Sequence, residues 1–256
     1  MKINWIGLST LVIRETKRVF AIPMQTLFPP VITSLLYIFV FGNVLGDRID
    51  EILPGVGYID FMVPGLLMMN VISSAFASTS SVVYIGKMMK THEELLVAPL
   101  SYVEMVLGFI AAATLRGVII GSIIYAVAVG FTASTIGNPL GFLFFLIVVS
   151  FLFASLGAIV GWWGKTFDHI NLPNTFILLP LSFLGGVFHS VKLLPEWVAT
   201  VTYFNPIFYM INGIRASMLG VADVSIGLAA LVVVVLTFVS FSYAVWLFQR
   251  GYSLRN

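Results

Sequence analysis

From Phe61 to Ile85 the chain carries no acidic or basic side chain, and the same holds from Leu140 to Trp163 and from Ile226 to Phe248. A helix crossing the roughly 30 Å hydrocarbon core of a bilayer needs about 20 mostly apolar residues. In lipid the backbone must satisfy its own hydrogen bonds, so only helices and closed barrels span. Barrel strands read as alternating stretches of about ten residues. The runs here are longer and continuous, so they are helical. Apolar residues make up 59% of the 256 and charged residues 9%. A soluble chain of this size buries only about three quarters of its surface and cannot hide that much apolar area. A soluble enzyme, a disordered chain and a nucleic-acid-binding domain are excluded. Cysteine is absent, which removes disulfides, thiolate nucleophiles and Cys-ligated metals.

Six spans are expected: Thr26–Leu45, Phe61–Ile85, Val103–Phe131, Leu140–Trp163, Leu172–Val191 and Ile226–Phe248. The segment Leu193–Leu219 is apolar but broken by Pro195, Pro206 and Gly213, and it carries Glu196, Asn205, Asn212 and Arg215. It fits two short helices dipping into the interface, with Trp197, Tyr203, Phe204, Phe208 and Tyr209 as aromatic anchors. Residues 1–25 read as an amphipathic helix on the membrane surface. Trp5, Leu8, Val12 and Val19 share its apolar face, and Thr10, Arg14, Lys17 and Arg18 the opposite one. The fold class is thus an all-α polytopic membrane protein in one transmembrane domain. It divides into 1–25, spans one to five over 26–191, an external re-entrant segment over 192–220, and span six with its tail over 221–256.

An even number of spans puts both termini on one side. With that side cytoplasmic, Lys2, Arg14, Lys17, Arg18, Lys87, Lys90, Lys165, Arg250 and Arg255 lie inside, and Arg48, Lys192 and Arg215 lie outside. This distribution follows the positive-inside rule, and the flipped topology violates it.

Two motif fragments fail. Gly164-Lys165-Thr166 ends like a phosphate loop, but Ile159 stands where the first glycine belongs. His92-Glu93 begins a zinc-protease motif, but Leu96 stands where the second histidine belongs. No facing carboxylate pair or Ser–His pairing stands out within the spans, so neither an intramembrane protease nor a proton relay is expected.

Four features stand out. The loop Gly86–Tyr102 combines Lys87, Lys90, His92, Glu93 and Glu94 with an apolar Leu95-Leu96-Val97 patch closed by Pro99. It suits either a short helix docking on a soluble partner or a merely solvated loop. Arg116 lies thirteen residues into span three, about 20 Å along a helix. It faces the bundle interior or a polar path, or it snorkels toward the cytoplasm. Gly117/Gly121 and Gly157/Gly161 are GxxxG pairs suited to close helix packing or a dimer seam. Pro173 and Pro180 imply a packing kink or an unwound turn in span five.

Several stretches, in order along nearly the whole chain, resemble the ABC-2 type permeases, close to the YadH-like branch of bacterial inner-membrane export permeases. They are Gln25–Pro30, Phe61–Gly65, Glu93–Pro99, Lys165–Asp168, Leu184–Phe188, Leu193–Pro195 and Asn205–Ile207. The resemblance implies a type V exporter-like fold with an N-terminal connecting helix, six spans and external re-entrant helices. It implies a homodimer in the bacterial inner membrane, bound to two soluble ABC ATPase subunits that hold ATP and Mg, with no cofactor and no catalytic residue in this chain. It further implies that the first cytoplasmic loop is the coupling helix, here Lys87, Met88, Lys90, His92, Glu93, Glu94, Leu95, Leu96 and Pro99. The second loop, with Lys165, Asp168 and His169, is then the lesser contact. The exported substrate is not readable from the residues. The competing reading is a multi-span scaffold or passive channel without ATP coupling.

Overall fold

The computed structural model describes residues 4–44, 52, 55–91, 98–132 and 135–251, with the side chains of 43 and 44 excepted. Among these the regular elements are helices. They are α1 (Trp5–Ala21), α2 (Pro23–Thr26), α3 (Phe28–Val44), α4 (Tyr58–Met88), α5 (Tyr102–Ala128) and α6 (Pro139–Trp163). After them come α7 (Phe167–Pro173), a π turn (Asn174–Leu178), α8 (Leu179–Leu184), a 3₁₀ turn (Val191–Leu193), α9 (Glu196–Phe204), α10 (Pro206–Leu219) and α11 (Ile226–Arg250).

Local chemistry sets the ends. Ser101 and Glu104 form a reciprocal capping box at the start of α5. Asn138 caps α6 ahead of Pro139, and Ser225 caps α11. Gly220 and Gly251 close α10 and α11 in the left-handed conformation that glycine adopts at no steric cost.

Among the described residues, α4, α5, α6 and α11 are long and apolar enough to cross a bilayer. They match expected spans two, three, four and six within a few residues. The first expected span is a shorter apolar helix, Phe28–Gly42. The fifth is broken: α7 ends at Pro173, a π turn follows, and α8 opens with Pro180 in its first turn. A proline removes one i→i−4 bond and crowds the preceding turn, and the wider π turn between the two prolines absorbs that mismatch.

The core lies between α4 and α6, with α5 and α10 against them. α4 is buried along most of its length. A Cβ at Gly157 would strike the Phe76 backbone of α4, and one at Gly161 would come within 2.6 Å of the Ser80 carbonyl. On α5, a Cβ at Gly117 would meet Ser150 Oγ at 2.5 Å, and one at Gly121 would meet Leu146 at 2.5 Å. Both GxxxG pairs are therefore used up inside one chain. The dimer-seam reading of these glycines is corrected, because their open faces already hold neighbouring helices.

The two-faced reading of the N-terminal helix is also corrected. α1 has three faces. Leu11, Glu15 and Val19 are buried, the first against Gly108 of α5. Trp5, Ile6, Ile13 and Phe20 form an exposed apolar face, and Arg14, Lys17 and Arg18 an exposed basic one.

Within segment 193–219, α10 packs into the core. The α10 end nearest Gly220 pairs with the start of α6, where Gly137 N and Asn138 N donate to the Met218 and Ser217 carbonyls at 3.0 and 2.8 Å. Gly213 abuts Phe145, and Pro206, Ile207 and Met210 share an apolar cavity with Leu152, Phe153 and Leu156. α10 thus runs antiparallel along the first two thirds of α6.

Candidate functional site

The end of α4 is set by chemistry at Lys90 and Thr91. Lys90 takes a left-handed φ of 57°, and Thr91 Oγ1 donates to the Gly86 carbonyl at 3.2 Å. Lys87 and Met88 therefore form the last turn of α4 rather than the start of a separate loop helix. Lys87 Nζ donates to the carbonyls of Trp162 at 2.9 Å and Gly164 at 2.5 Å. These lie at the C-terminal end of α6, where carbonyls lack helical partners and the macrodipole is negative. A lysine supplies donors and charge to both needs. Beside it the Tyr84 hydroxyl donates to the Lys165 carbonyl at 3.5 Å, and the Tyr84 ring meets Phe167 edge-on at 6.0 Å. The start of the first loop and the whole of the second are consequently one structural unit.

The far end of the first loop is held differently. The Glu104 carboxylate accepts from Ser101 N and Ser101 Oγ at 2.6 and 2.8 Å and from Asn4 N at 2.5 Å. Asn4 Nδ2 in turn donates to the Pro99 carbonyl at 3.0 Å. One buried acid therefore caps α5, anchors α1 and fixes the loop's exit. The pattern Ser101-x-x-Glu104 ahead of an apolar run is legible as a capping box, but its third partner, 100 residues away, is not.

Of the residues proposed for docking, Met88, Lys90, Pro99, Lys165, Asp168 and His169 are exposed. Lys87 is half-buried, and its ammonium is engaged by backbone carbonyls. His92, Glu93, Glu94, Leu95 and Leu96 lie outside the described residues. In the second loop the Thr166 hydroxyl accepts from His169 N at 3.4 Å, and Ile170 tucks under Gly164. Lys165, Asp168 and His169 stay exposed, with His169 Nδ1 accepting from Lys165 N at 3.4 Å.

Arg116 is half-buried, and its Nη2 donates to the Thr26 carbonyl at 3.0 Å. It tethers α5 to the joint between α2 and α3.

The deepest charge is another residue. Arg215, counted among the outer cations by sequence order, is fully buried. Its Nε donates to the Phe61 carbonyl at 3.3 Å and its Nη2 to the Gly186 carbonyl at 2.6 Å. The guanidinium sits 3.8 Å from the Phe61 ring centroid, close enough for a cation–π contact. Gly186 adopts φ 88°, and the neighbouring Val187 backbone lies so near Gly65 that a Cβ there would come within 2.8 Å. Asn205 Nδ2 reaches the Leu181 carbonyl at 2.6 Å. Three stretches that looked separate in sequence, Phe61–Gly65, Leu184–Phe188 and Asn205–Ile207, thus meet around α10. Asp223 extends the cluster: it accepts from Ser190 Oγ at 2.8 Å, and its own N–H donates to Asn212 Oδ1 at 2.9 Å.

Residues 7–219 match the family described as ABC-2 type transporter. The chain is 38% identical over 257 residues, the full length of both proteins, to the inner membrane transport permease YadH of Escherichia coli K12. It is 30% identical over 193 residues to nodulation protein J of Rhizobium leguminosarum bv. trifolii, covering 73% of this chain and 71% of that one. To nodulation protein J of Rhizobium meliloti it is 29% identical over 203 residues, covering 76% and 74%. With its apolar spans and packed helical core, the chain belongs to the ABC-2 type transporter family, as a multi-pass inner-membrane permease.

Proposed function

We propose that this chain is the membrane half of an ABC exporter. Two copies form the translocation path, and two separate ATPase subunits bind at the cytoplasmic loops and carry the ATP and Mg. In this reading α3 and the broken α7–α8 segment complete six spans, both termini are cytoplasmic, and α9–α10 form an external re-entrant hairpin. ATP-driven closure of the ATPases pushes on the loop between α4 and α5, and the push reaches the spans as a rocking motion.

One observation supports the coupling most. The first loop is clamped at both ends, by Lys87 onto the end of α6 and by Pro99 and Glu104 onto α1. A load applied at residues 92–97 would reach α1, α4, α5 and α6 together. Packed interfaces of this kind switch between arrangements and do not deform continuously.

The test is a Glu93→Lys, Leu96→Asp double variant, assayed for co-purification of the ATPase and for coupled ATP hydrolysis. Loss of both is expected while the permease stays folded. Wild-type levels of both would show that the loop is not the docking element. The absence of any ATPase partner would favour a scaffold or a passive channel.

A further inference from the structure

Between α1 and the cytoplasmic ends of α4 and α5 lies a cavity of about 430 Å³. One wall is charged: Arg14, Lys17 and Arg18 of α1 line it together with Glu15. Glu15 is buried, with Arg14 Nη2 at 2.8 Å and Arg18 Nη1 at 3.8 Å. Among the described residues the lining holds three cations and one acid, an excess of two positive charges. Glu15 orients the two guanidiniums at the mouth, and each stays about half exposed. The opposite wall is apolar, formed by Val82 and Ile85 of α4 and Phe109 of α5. The exposed apolar face of α1, with Trp5, Ile6, Ile13 and Phe20, flanks the basic face.

We propose that this crevice binds an anionic glycerophospholipid, its phosphodiester against Arg14, Lys17 and Arg18 and an acyl chain along Val82, Ile85 and Phe109. The charge excess selects an anion, and the apolar wall selects one carrying hydrocarbon. A cationic roof over apolar helix flanks at the membrane surface is the arrangement that holds anionic headgroups. Met89 and Thr91 also line the crevice. The lipid therefore touches the first residues of the loop proposed for docking, yet the site exists without any partner.

The test is native mass spectrometry of the purified permease, titrated with phosphatidylglycerol or phosphatidylethanolamine. The variants are Arg14→Gln/Lys17→Gln/Arg18→Gln, Lys17→Gln alone, and Lys192→Gln as a cation far along the chain. Wild type is expected to retain phosphatidylglycerol over phosphatidylethanolamine, and the triple variant to lose that preference by about tenfold or more. Lys17→Gln, an exposed change that breaks no ion pair of α1, is expected to give a partial loss with unchanged melting temperature. Lys192→Gln is expected to match wild type. Equal retention of both lipids by wild type, or an undiminished preference in the triple variant, overturns the proposal. Loss of ATPase co-purification with lipid preference intact would assign the basic face to the partner protein and also overturn it.

Discussion

Replacing Gly157 by alanine adds one methyl group where α6 crosses the backbone of α4 at Phe76. At Gly161 the added carbon would lie 2.6 Å from the Ser80 carbonyl and 3.0 Å from Val83 Cβ. Carbon atoms in contact prefer about 3.5–4.0 Å, so the helices must separate by roughly 1 Å at each site. The obstacles are largely backbone, which no rotamer change can move aside. Overpacking of this kind costs typically 1–3 kcal/mol. Alanine recovers about 1 kcal/mol of helix propensity over glycine. The net expectation is a loss of up to roughly 2 kcal/mol per site, and more for the double variant. Gly227 is the control: it lies in the first turn of α11 with nothing within 4 Å of an added Cβ. Gly227→Ala is expected to be neutral or slightly stabilising. The assay is the melting temperature of the purified permease in one fixed detergent, with its oligomeric state measured alongside. A drop of several degrees for Gly157→Ala and Gly161→Ala, with no change for Gly227→Ala, is expected. If the two core variants melted like wild type but lost self-association, the glycines would be a dimer seam and the intrachain account would be wrong.

Further outcomes follow from the same contacts. Lys87→Met removes two charge-assisted hydrogen bonds, each worth roughly 1.5–3 kcal/mol before the discount for partial exposure. Amide exchange over residues 164–169 should accelerate, and Lys87→Arg should restore part of the protection. Glu104→Gln weakens the α5 cap and the anchor on Asn4 together, at about 0.5–2 kcal/mol for the cap alone. Limited proteolysis should then release α1 before any other helix. Arg215→Ala leaves the Gly186 carbonyl short of a buried donor and removes the ring contact with Phe61, a loss of roughly 2–4 kcal/mol. Arg215→Lys should recover only part of this, because an ammonium cannot reproduce the planar fork. A melting temperature equal to wild type in Arg215→Ala would show that the cluster does not hold α10 in place.

The long spans were legible because their signal is local. α4, α6 and α11 each hold a long uncharged apolar run, and the Asn138 and Ser225 caps of α6 and α11 are readable within four residues. The division of segment 193–219 into α9 and α10 was legible at Pro206, whereas Gly213, expected to break it too, lies inside the continuous α10. The burial of Arg215 was not legible for a physical reason. Counting cations by loop assigns a side of the membrane and says nothing of packing. That burial depends on carbonyls at Phe61 and Gly186, 154 and 29 residues away. The glycine pairs announced close packing but not the partner helix, since GxxxG specifies a surface and leaves the choice of neighbour to the rest of the fold. Glu104 shows the same limit, because its capping role is local and its hold on Asn4 is not. The break in span five could be placed between Pro173 and Pro180, but its form as a π turn depends on how the two prolines are accommodated.

The central claim is that the two cytoplasmic loops form one face that receives the ATPase. The chain has no cysteine, so single cysteines can be placed at Glu93, Asp168 and Trp197 and coupled to a short photo-crosslinker in membranes holding the whole complex. The account predicts ATPase adducts from Glu93→Cys and Asp168→Cys and none from Trp197→Cys. Adducts from Trp197→Cys with none from the two loop positions would contradict it.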